Sequence, residues 1–197
     1  PSASYKTDTG YAAFAASYAN RKKTVFAGAN DGMLHAFNGD VGTATTNPAD
    51  TAGKELWAYI PSFVLTGPTY PTTDGLQART KLDGFVHKYY VNHTPVTRDV
   101  DFANTKGNKT GGDWHTILVG GLGKGGRGYY AIDVTNPSDW TSETAIAGKV
   151  LWEFTDEDID YAIDHVVSAV EHLRAMSPLW DMHQEGVDIK SIQWAEH

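Results

Sequence analysis

Residues 24–40 read TVFAGANDGMLHAFNGD and residues 53–60 read GKELWAYI. Residues 116–134 read TILVGGLGKGGRGYYAIDV and residues 148–154 read GKVLWEF. These passages are two copies of one unit. Thr24-Val25-Phe26-Ala27-Gly28 returns as Thr116-Ile117-Leu118-Val119-Gly120, 92 positions on. Ala36-Phe37-Asn38 returns as Ala131-Ile132-Asp133, and the run Ala52 to Trp57 as Ala147 to Trp152, both 95 positions on. On this alignment three extra residues enter the second copy at its glycine-rich turn, where a longer connection costs little. Each copy reads strand, glycine turn, strand, polar loop, strand. In the first, Ala29-Asn30-Asp31-Gly32 supplies the positive φ that a tight hairpin demands. The second copy gains a strand in front, roughly residues 95–102, with Pro95 at its start. Short antiparallel strands repeating at this interval make propeller blades. The spacing predicts a mainly β chain: an incomplete β-propeller of about two blades over residues 1–154, then an amphipathic α-helix and tail over 155–197. Residues 11–19, Ala-rich, are expected to form a short helix before the first blade.

Charge divides at the same place. The chain has 197 residues and a net charge of −8, yet residues 1–154 hold 14 acids and 14 bases while residues 155–197 hold 10 acids and 2 bases. Nineteen of the 20 glycines precede residue 155. The acidic total argues against nucleic-acid binding, since only Arg21-Lys22-Lys23 forms a basic cluster. No apolar run reaches the roughly 18 residues of a membrane span. Without cysteine there is no disulfide, thiolate metal site or cysteine nucleophile. Opening at Pro1, with neither initiator Met nor signal peptide, the chain reads as a fragment or a processed piece.

The passages VFAGANDGMLHAFNGD…GKELWAYIPS and HTILVGGLGKGGRGYYAIDVTNP…GKVLWEFTD closely resemble the C-terminal propeller of the PilY/PilC family, which are type IV pilus biogenesis factors and tip-associated adhesins. The resemblance covers residues 5–154. It implies a non-enzymatic role in pilus biogenesis and surface attachment, with pilus components or host surface ligands as partners. It also implies a location at the periplasm, outer membrane or cell surface. The blades look like the quinoprotein tryptophan-motif repeat as well, in which Gly-Lys-x-x-Trp closes one blade on the next. That similarity implies blade-docking roles for Trp57, Trp152, Gly53 and Gly148. The partner-facing parts are expected in loops 43–52, 61–86 and 104–113, because blades are rigid and loops vary.

Other chemistry fares poorly. Gly121-Leu122-Gly123-Lys124-Gly125-Gly126 matches a dinucleotide fingerprint, but such a turn must open a helix, and here the strand-like Tyr129 to Val134 follows. Lys124 and Arg127 leave only a remote anion site. A calcium loop wants oxygen ligands at alternating positions around a glycine turn; neither Asn30-Asp31 nor Asp99 with Asp101 supplies them. His35, beside Phe37 and expected on the inner face of its strand, reads as a structural histidine. His87 and His93 lack a third zinc ligand. A quinone site needs a closed ring of blades, which two do not make, so the quinoprotein dehydrogenase reading is remote. No metal or cofactor is expected, and no catalytic residue.

From Thr155 the apolar period changes from 2 to 3.6: Ile159, Ala162, Ile163, Val166, Val167, Val170 and Leu173 share one face. Thr155 and Asp158 form a capping box, acids fill the first turn, and Ser177-Pro178 ends the helix. Residues 155–197 resemble, almost position for position, the C-terminus of IscS-type cysteine desulfurases. In that family the segment is a last helix plus a tail that docks the iron–sulfur scaffold protein IscU in the cytoplasm. The docking role carries over to Leu179, Trp180, Ser191, Ile192, Trp194 and His197. Desulfurase activity does not, since the chain has no cysteine nucleophile and no segment like the pyridoxal-lysine motif. The two resemblances meet at Phe154-Thr155-Asp156, which suits both, and imply different compartments; the sequence reads as a mosaic. An incomplete propeller is also expected to leave a sheet edge unpaired and so to associate.

Overall fold

The computed structural model describes residues 9–40, 52–67, 75–80, 87–103, 112–176, 180 and 184–186. Helix α1 (Thr9–Ser17) leads into a three-stranded antiparallel sheet, β1 (Thr24–Gly28), β2 (Leu34–Asn38) and β3 (Glu55–Tyr59), in that spatial order. Two short helices follow, α2 (Ser62–Thr66) and α3 (Leu76–Arg79). A four-stranded antiparallel sheet comes next, β4 (Val96–Asp101), β5 (Trp114–Gly121), β6 (Gly128–Asp133) and β7 (Val150–Thr155), again in chain order, with α4 (Glu143–Ala147) between β6 and β7. Helix α5 (Asp156–Ala175) begins at the residue after β7. The chain is thus mainly β, an incomplete propeller of two blades followed by a helix.

The sequence repeat is a repeat of hydrogen bonds. Ala36 lies between Phe26 and Trp57, and Ala131 between Val119 and Trp152. The register shifts after Ala36 in one sheet and after Ala131 in the other, so even the irregularity recurs. Asn38 N–H donates to Lys54 O at 2.8 Å, and Asp133 N–H to Lys149 O at 2.8 Å. The pairing corrects the alignment of the first strands. Gly28 faces Leu34 and Gly121 faces Tyr129, so Gly28 corresponds to Gly121 rather than Gly120. The second turn is therefore longer by two residues, not three. Identical letters in TxxxG had masked a one-residue slip.

Directly paired residues share a face, so the register sorts the side chains. One face of the first blade carries Phe26, Leu34, Ala36, Trp57 and Tyr59; it packs on the face of the second that carries Leu118, Tyr130 and Ile132. Leu34, Ala36, Leu118 and Tyr130 have no solvent exposure. Burying these faces against each other supplies the core, at about 25 cal/mol per Å² of apolar surface removed from water. The segment before β4 closes one end of the stack. Val91 N–H donates to Ala29 O (3.2 Å) and Asn92 N–H to Leu122 O (3.3 Å), joining the ends of β1 and β5. At the other end, Arg21 Nη1 donates to Thr116 Oγ1 (2.8 Å) and Thr135 O (2.9 Å). Tyr11 of α1 packs on Trp114, ring centroids 4.9 Å apart, and donates to Asp99 Oδ2 at 2.9 Å.

This close approach explains the glycine run 120–126. A Cβ on Gly125 would sit 1.7 Å from Tyr90 O. The run is a hairpin turn with one turn of 3-10 helix, Gly123–Gly125, and it delivers the chain into β6, as a dinucleotide turn does not.

The chain separates into two compact units, residues 1–155 and 156–197. In the second, α5 has Asp156, Glu157 and Asp158 in its first turn and His172 and Arg174 in its last, both favourable to the helix dipole. Its apolar stripe, including Ile159, Ile163, Val166 and Leu173, is exposed. No helix among the described residues is long and apolar enough to cross a membrane.

Gly125→Ala is expected to destabilise the blades by about 1–3 kcal/mol, the range for forcing extra volume into packed structure. Gly148→Ala, at φ −66° with no neighbour nearer than 3.6 Å, is expected to be neutral or stabilising by up to about 1 kcal/mol. Paired urea denaturation curves check both; equal effects would contradict the packing described.

Candidate functional site

Trp57 lies at the junction of the blades. It is 7% exposed, and its ring centroid is 5.9 Å from Phe26 of its own blade and 5.4 Å from Trp140, which belongs to the loop between β6 and β7. Trp140 meets it edge-on, at an interplanar angle of 89°. Beside this pair, Tyr59 packs on Tyr130, centroids 5.3 Å apart, and donates its hydroxyl to Glu153. Glu153 also accepts the Ser62 N–H, at 3.0 Å to Oε1 and 3.2 Å to Oε2, and the Ser62 hydroxyl. Ser62 opens α2, whose preceding residue, Pro61, offers no side-chain cap. A carboxylate from the second blade thus caps a helix of the first. Trp57, Tyr59, Ser62, Trp140, Ile146 and Glu153 line a cleft of about 870 Å³.

Two histidines are held between carboxylates. His35 Nδ1 is 2.5 Å from Glu55 Oε1 and its Nε2 2.9 Å from Asp31 Oδ2. His115 Nδ1 is 2.8 Å from Asp133 Oδ2 and its Nε2 3.0 Å from Asp113 Oδ1. Each stacks on a phenylalanine, His35 on Phe37 at 5.8 Å and His115 on Phe102 at 4.7 Å. The hydrogen bond to Glu55 raises the His35 pKa, helped by Asp31 against a smaller lowering by burial. Burial pulls His115 down, but the bonds to Asp133 and Asp113 together outweigh it, so its pKa is raised as well. For Asp133 burial raises the pKa; the bonds from the Thr135 hydroxyl, the Thr135 N–H and His115 carry it below its ordinary value. Both imidazoles favour the cation, and every ring nitrogen is committed to a neighbouring carboxylate.

The residues singled out from sequence divide. Trp57 is in the interface core; Trp152, its repeat equivalent, is 42% exposed and packs on Phe154 at 5.1 Å, on the far face of the second blade. Gly53 and Gly148 sit in turns of their own blades. Nothing lies within 4 Å of a Cβ built on Gly53, and only Ala145 O and Thr144 O approach one on Gly148. Neither position has an atom of the facing blade within 4 Å of such a Cβ. His35 alternates with the buried Leu34 and Ala36, which puts it on the outer face rather than the inner one, again a correction. Asp99 and Asp101 are taken up as acceptors, from Thr116 Oγ1 (2.6 Å) and from the N–H groups of Ala103 and Asp113. Lys124 Nζ stands 5.1 Å over the Tyr89 ring. Among the described residues no group of three or more His, Asp or Glu is placed to hold a metal. Of the tail, Trp180 stacks under Arg174, 4.4 Å from guanidinium to ring centroid; Leu179, Ser191, Ile192, Trp194 and His197 lie outside the described residues, as do loop residues 43–51, 68–74, 81–86 and 104–111. Sequence reasoning missed Glu153 and Trp140. The available signals were a lone charge between Trp152 and Phe154, and a tryptophan in an otherwise polar loop.

A pH dependence follows. Raised histidine pKa values mean that His35 and His115 contribute stability in full below about 6.5, lost as pH rises through their folded values. The lowered Asp133 contributes above about 3.8 and is lost as pH falls through its folded value. Melting temperature is expected to be higher at pH 6 than at pH 8, with the difference shrinking in His35→Gln/His115→Gln. A larger drop in the double variant would contradict the assignment.

Comparison with known proteins agrees with this architecture. The family described as the PilY1 beta-propeller domain matches residues 3–168. The type IV pilus biogenesis factor PilY1 of Pseudomonas aeruginosa PAO1 is 37% identical over 151 residues, 76% of this chain and 10% of that protein. A PilY1 homolog of Xylella fastidiosa Temecula1 is 35% identical over 157 residues, 80% of this chain and 10% of that protein. The crystal structure of the P. aeruginosa PilY1 C-terminal domain matches at TM-score 0.44 and 33% identity, covering 75% of this chain and 21% of that one. A short match at the C-terminal part is to the cysteine desulfurase IscS of Photobacterium profundum, 63% identical over 43 residues, 22% of this chain and 11% of that protein. The chain spans about a tenth of the length of the curated relatives it matches. By the extent of the first match, the chain belongs to the PilY1 β-propeller family.

Proposed function

We propose that the two blades are a segment of a type IV pilus biogenesis factor, pilus-associated in the cell envelope, whose contribution is support and contact rather than catalysis. The match of residues 3–168 to the PilY1 propeller carries this reading. The chemistry is consistent with it. Glu153, a carboxylate at the blade junction, is spent on Tyr59 and Ser62, and the imidazoles are spent on carboxylates, so these groups fix geometry. Trp57 is the docking residue of the first blade, and Trp152 holds the same position for a blade stacked on the second. The connections 43–52, 61–86 and 104–113 are the partner-facing parts, with pilus components or surface ligands as partners.

A second reading is favoured by the 63% identity of the short C-terminal match to a desulfurase. In it the chain is a mosaic joined near Phe154. Residues 155–197 then dock an iron–sulfur scaffold protein in the cytoplasm, through Leu179, Trp180, Ser191, Ile192, Trp194 and His197, with no desulfurase activity.

Two experiments separate these. Residues 9–154 substituted for the matching segment of the P. aeruginosa PilY1 are expected to preserve surface piliation, and the same exchange carrying Trp57→Ala to reduce it. Loss of pili with the unaltered exchange, despite normal protein levels, would contradict the pilus reading. For the tail, full-length chain is expected to retain the scaffold protein IscU in a pull-down and a chain ending at residue 175 to lose it. No retention by the full chain sinks the second reading.

A further inference from the structure

A cleft on the face of a strand touches alternate residues, because successive side chains point to opposite sides. The cleft between the blades touches Leu56, Trp57, Ala58, Tyr59 and Ile60 in unbroken succession. Residues from both faces of β3 meet there, so the cleft runs along the edge of that strand. β3 is the last strand of its sheet, with β2 on one side and no strand on the other among the described residues.

The hydrogen-bond phase decides which backbone groups look into the cleft. Asn38 of β2 donates its N–H to Lys54 O and accepts from the Gly53 N–H. Alternate residues of an antiparallel strand bond to the same neighbour, so Ala36 and Leu34 also bond toward β3, where Trp57 and Tyr59 face them. Ala58, between those two, is left with its N–H and C=O on the free edge.

The opposite wall is Trp140, Glu143 and Ile146 of α4, and Val150 of β7. No Lys, Arg or His lines the cleft. Of its two carboxylates, Glu153 is occupied by Tyr59 and Ser62, whereas Glu143 has no hydrogen-bond or ion-pair partner among the described residues. Asp31 and Glu55, on the outer face of the first blade, lie outside the lining and are held by His35. The volume, about 870 Å³, falls within the roughly 300–1,000 Å³ of ligand sites.

We propose that the cleft receives an extended segment of a partner protein, paired to β3 as an added strand, with an apolar side chain among Trp140, Ile146 and Val150 and a Lys or Arg at Glu143. Strand addition draws affinity from main-chain bonds and specificity from pockets for alternate side chains. The β3 edge supplies the first and the apolar, acidic wall the second. Charge selects the source. The stretch leading into β3, residues 41–51, contains Asp50 and no Lys or Arg, so it does not answer Glu143. Both walls belong to the two blades, and the proposal is independent of the pilus reading.

The probes are capped, fluorescein-labelled hexapeptides that alternate Val or Ile with Lys, the same set with Glu for Lys, and the Lys set N-methylated throughout. The full chain is expected to bind the Lys set by fluorescence anisotropy, and binding should slow hydrogen exchange at the Ala58 N–H. N-methylation should weaken binding at least about tenfold, as for loss of one or two hydrogen bonds. Ala58→Pro, which removes an edge donor and no ladder bond, should do the same with unchanged far-UV circular dichroism and melting temperature. Glu143→Gln should weaken the Lys set about two- to fivefold at low salt and leave it unchanged at high salt. Failure of every Lys peptide to bind would overturn the proposal, as would binding indifferent to N-methylation or equal binding of the Glu set. So would an Ala58 N–H already protected in the free chain, which would put another segment of this chain on the edge. Each of these results leaves the pilus reading intact.

Discussion

The structure depends on the seating of Trp57 against the neighbouring blade. Neither sheet buries both of its own faces, and a sheet of three or four short strands is not stable with its apolar side in water. Trp57 resolves this by lying between Phe26 and Trp140, one ring from each blade. Replacing such a buried tryptophan by alanine costs about 3–5 kcal/mol, a large share of the 5–15 kcal/mol by which a domain is stable. Glu153 then fixes the sliding coordinate that apolar contact leaves free, since its bonds to Tyr59 and Ser62 are directional.

Much of this was legible because a repeat reports on itself. Ala36 and Ala131 recur 95 positions apart in sequence and occupy the same register and the same bulge. The strands, the front strand of the second blade, the α1 helix and the α5 helix all follow from period and punctuation. What the letters hid was of two kinds. The slip of Gly28 against Gly120 arose because neighbouring glycines are interchangeable in an alignment but not in a pleat, where one residue exchanges the faces. The roles of Glu153, Trp140 and Arg21 are long-range, each reaching a partner some 80 or more positions away, and no local pattern encodes that. The assignment of His35 to the inner face failed because its strand alternates strictly and Ala36, small and easily overlooked, holds the buried phase.

The same logic separates Trp57 from Trp152. Identical motif positions in a repeat have identical intrinsic roles, but burial depends on the neighbour. Trp57 has the second blade in front of it and is 7% exposed, whereas Trp152 is 42% exposed. The junction at residue 155 is abrupt in the backbone as well, since Thr155 still pairs with Gly128 and Asp156 already begins α5. Composition, charge and secondary structure all change within that one step.

The central claim is that the two sheets are consecutive blades locked face to face. A double-mutant cycle on Tyr59→Phe and Glu153→Gln, read by urea denaturation, tests it most directly. The account predicts a single cooperative transition and a coupling of about 1–2 kcal/mol between the two positions. Additive effects, or separate transitions for the two sheets, would contradict it.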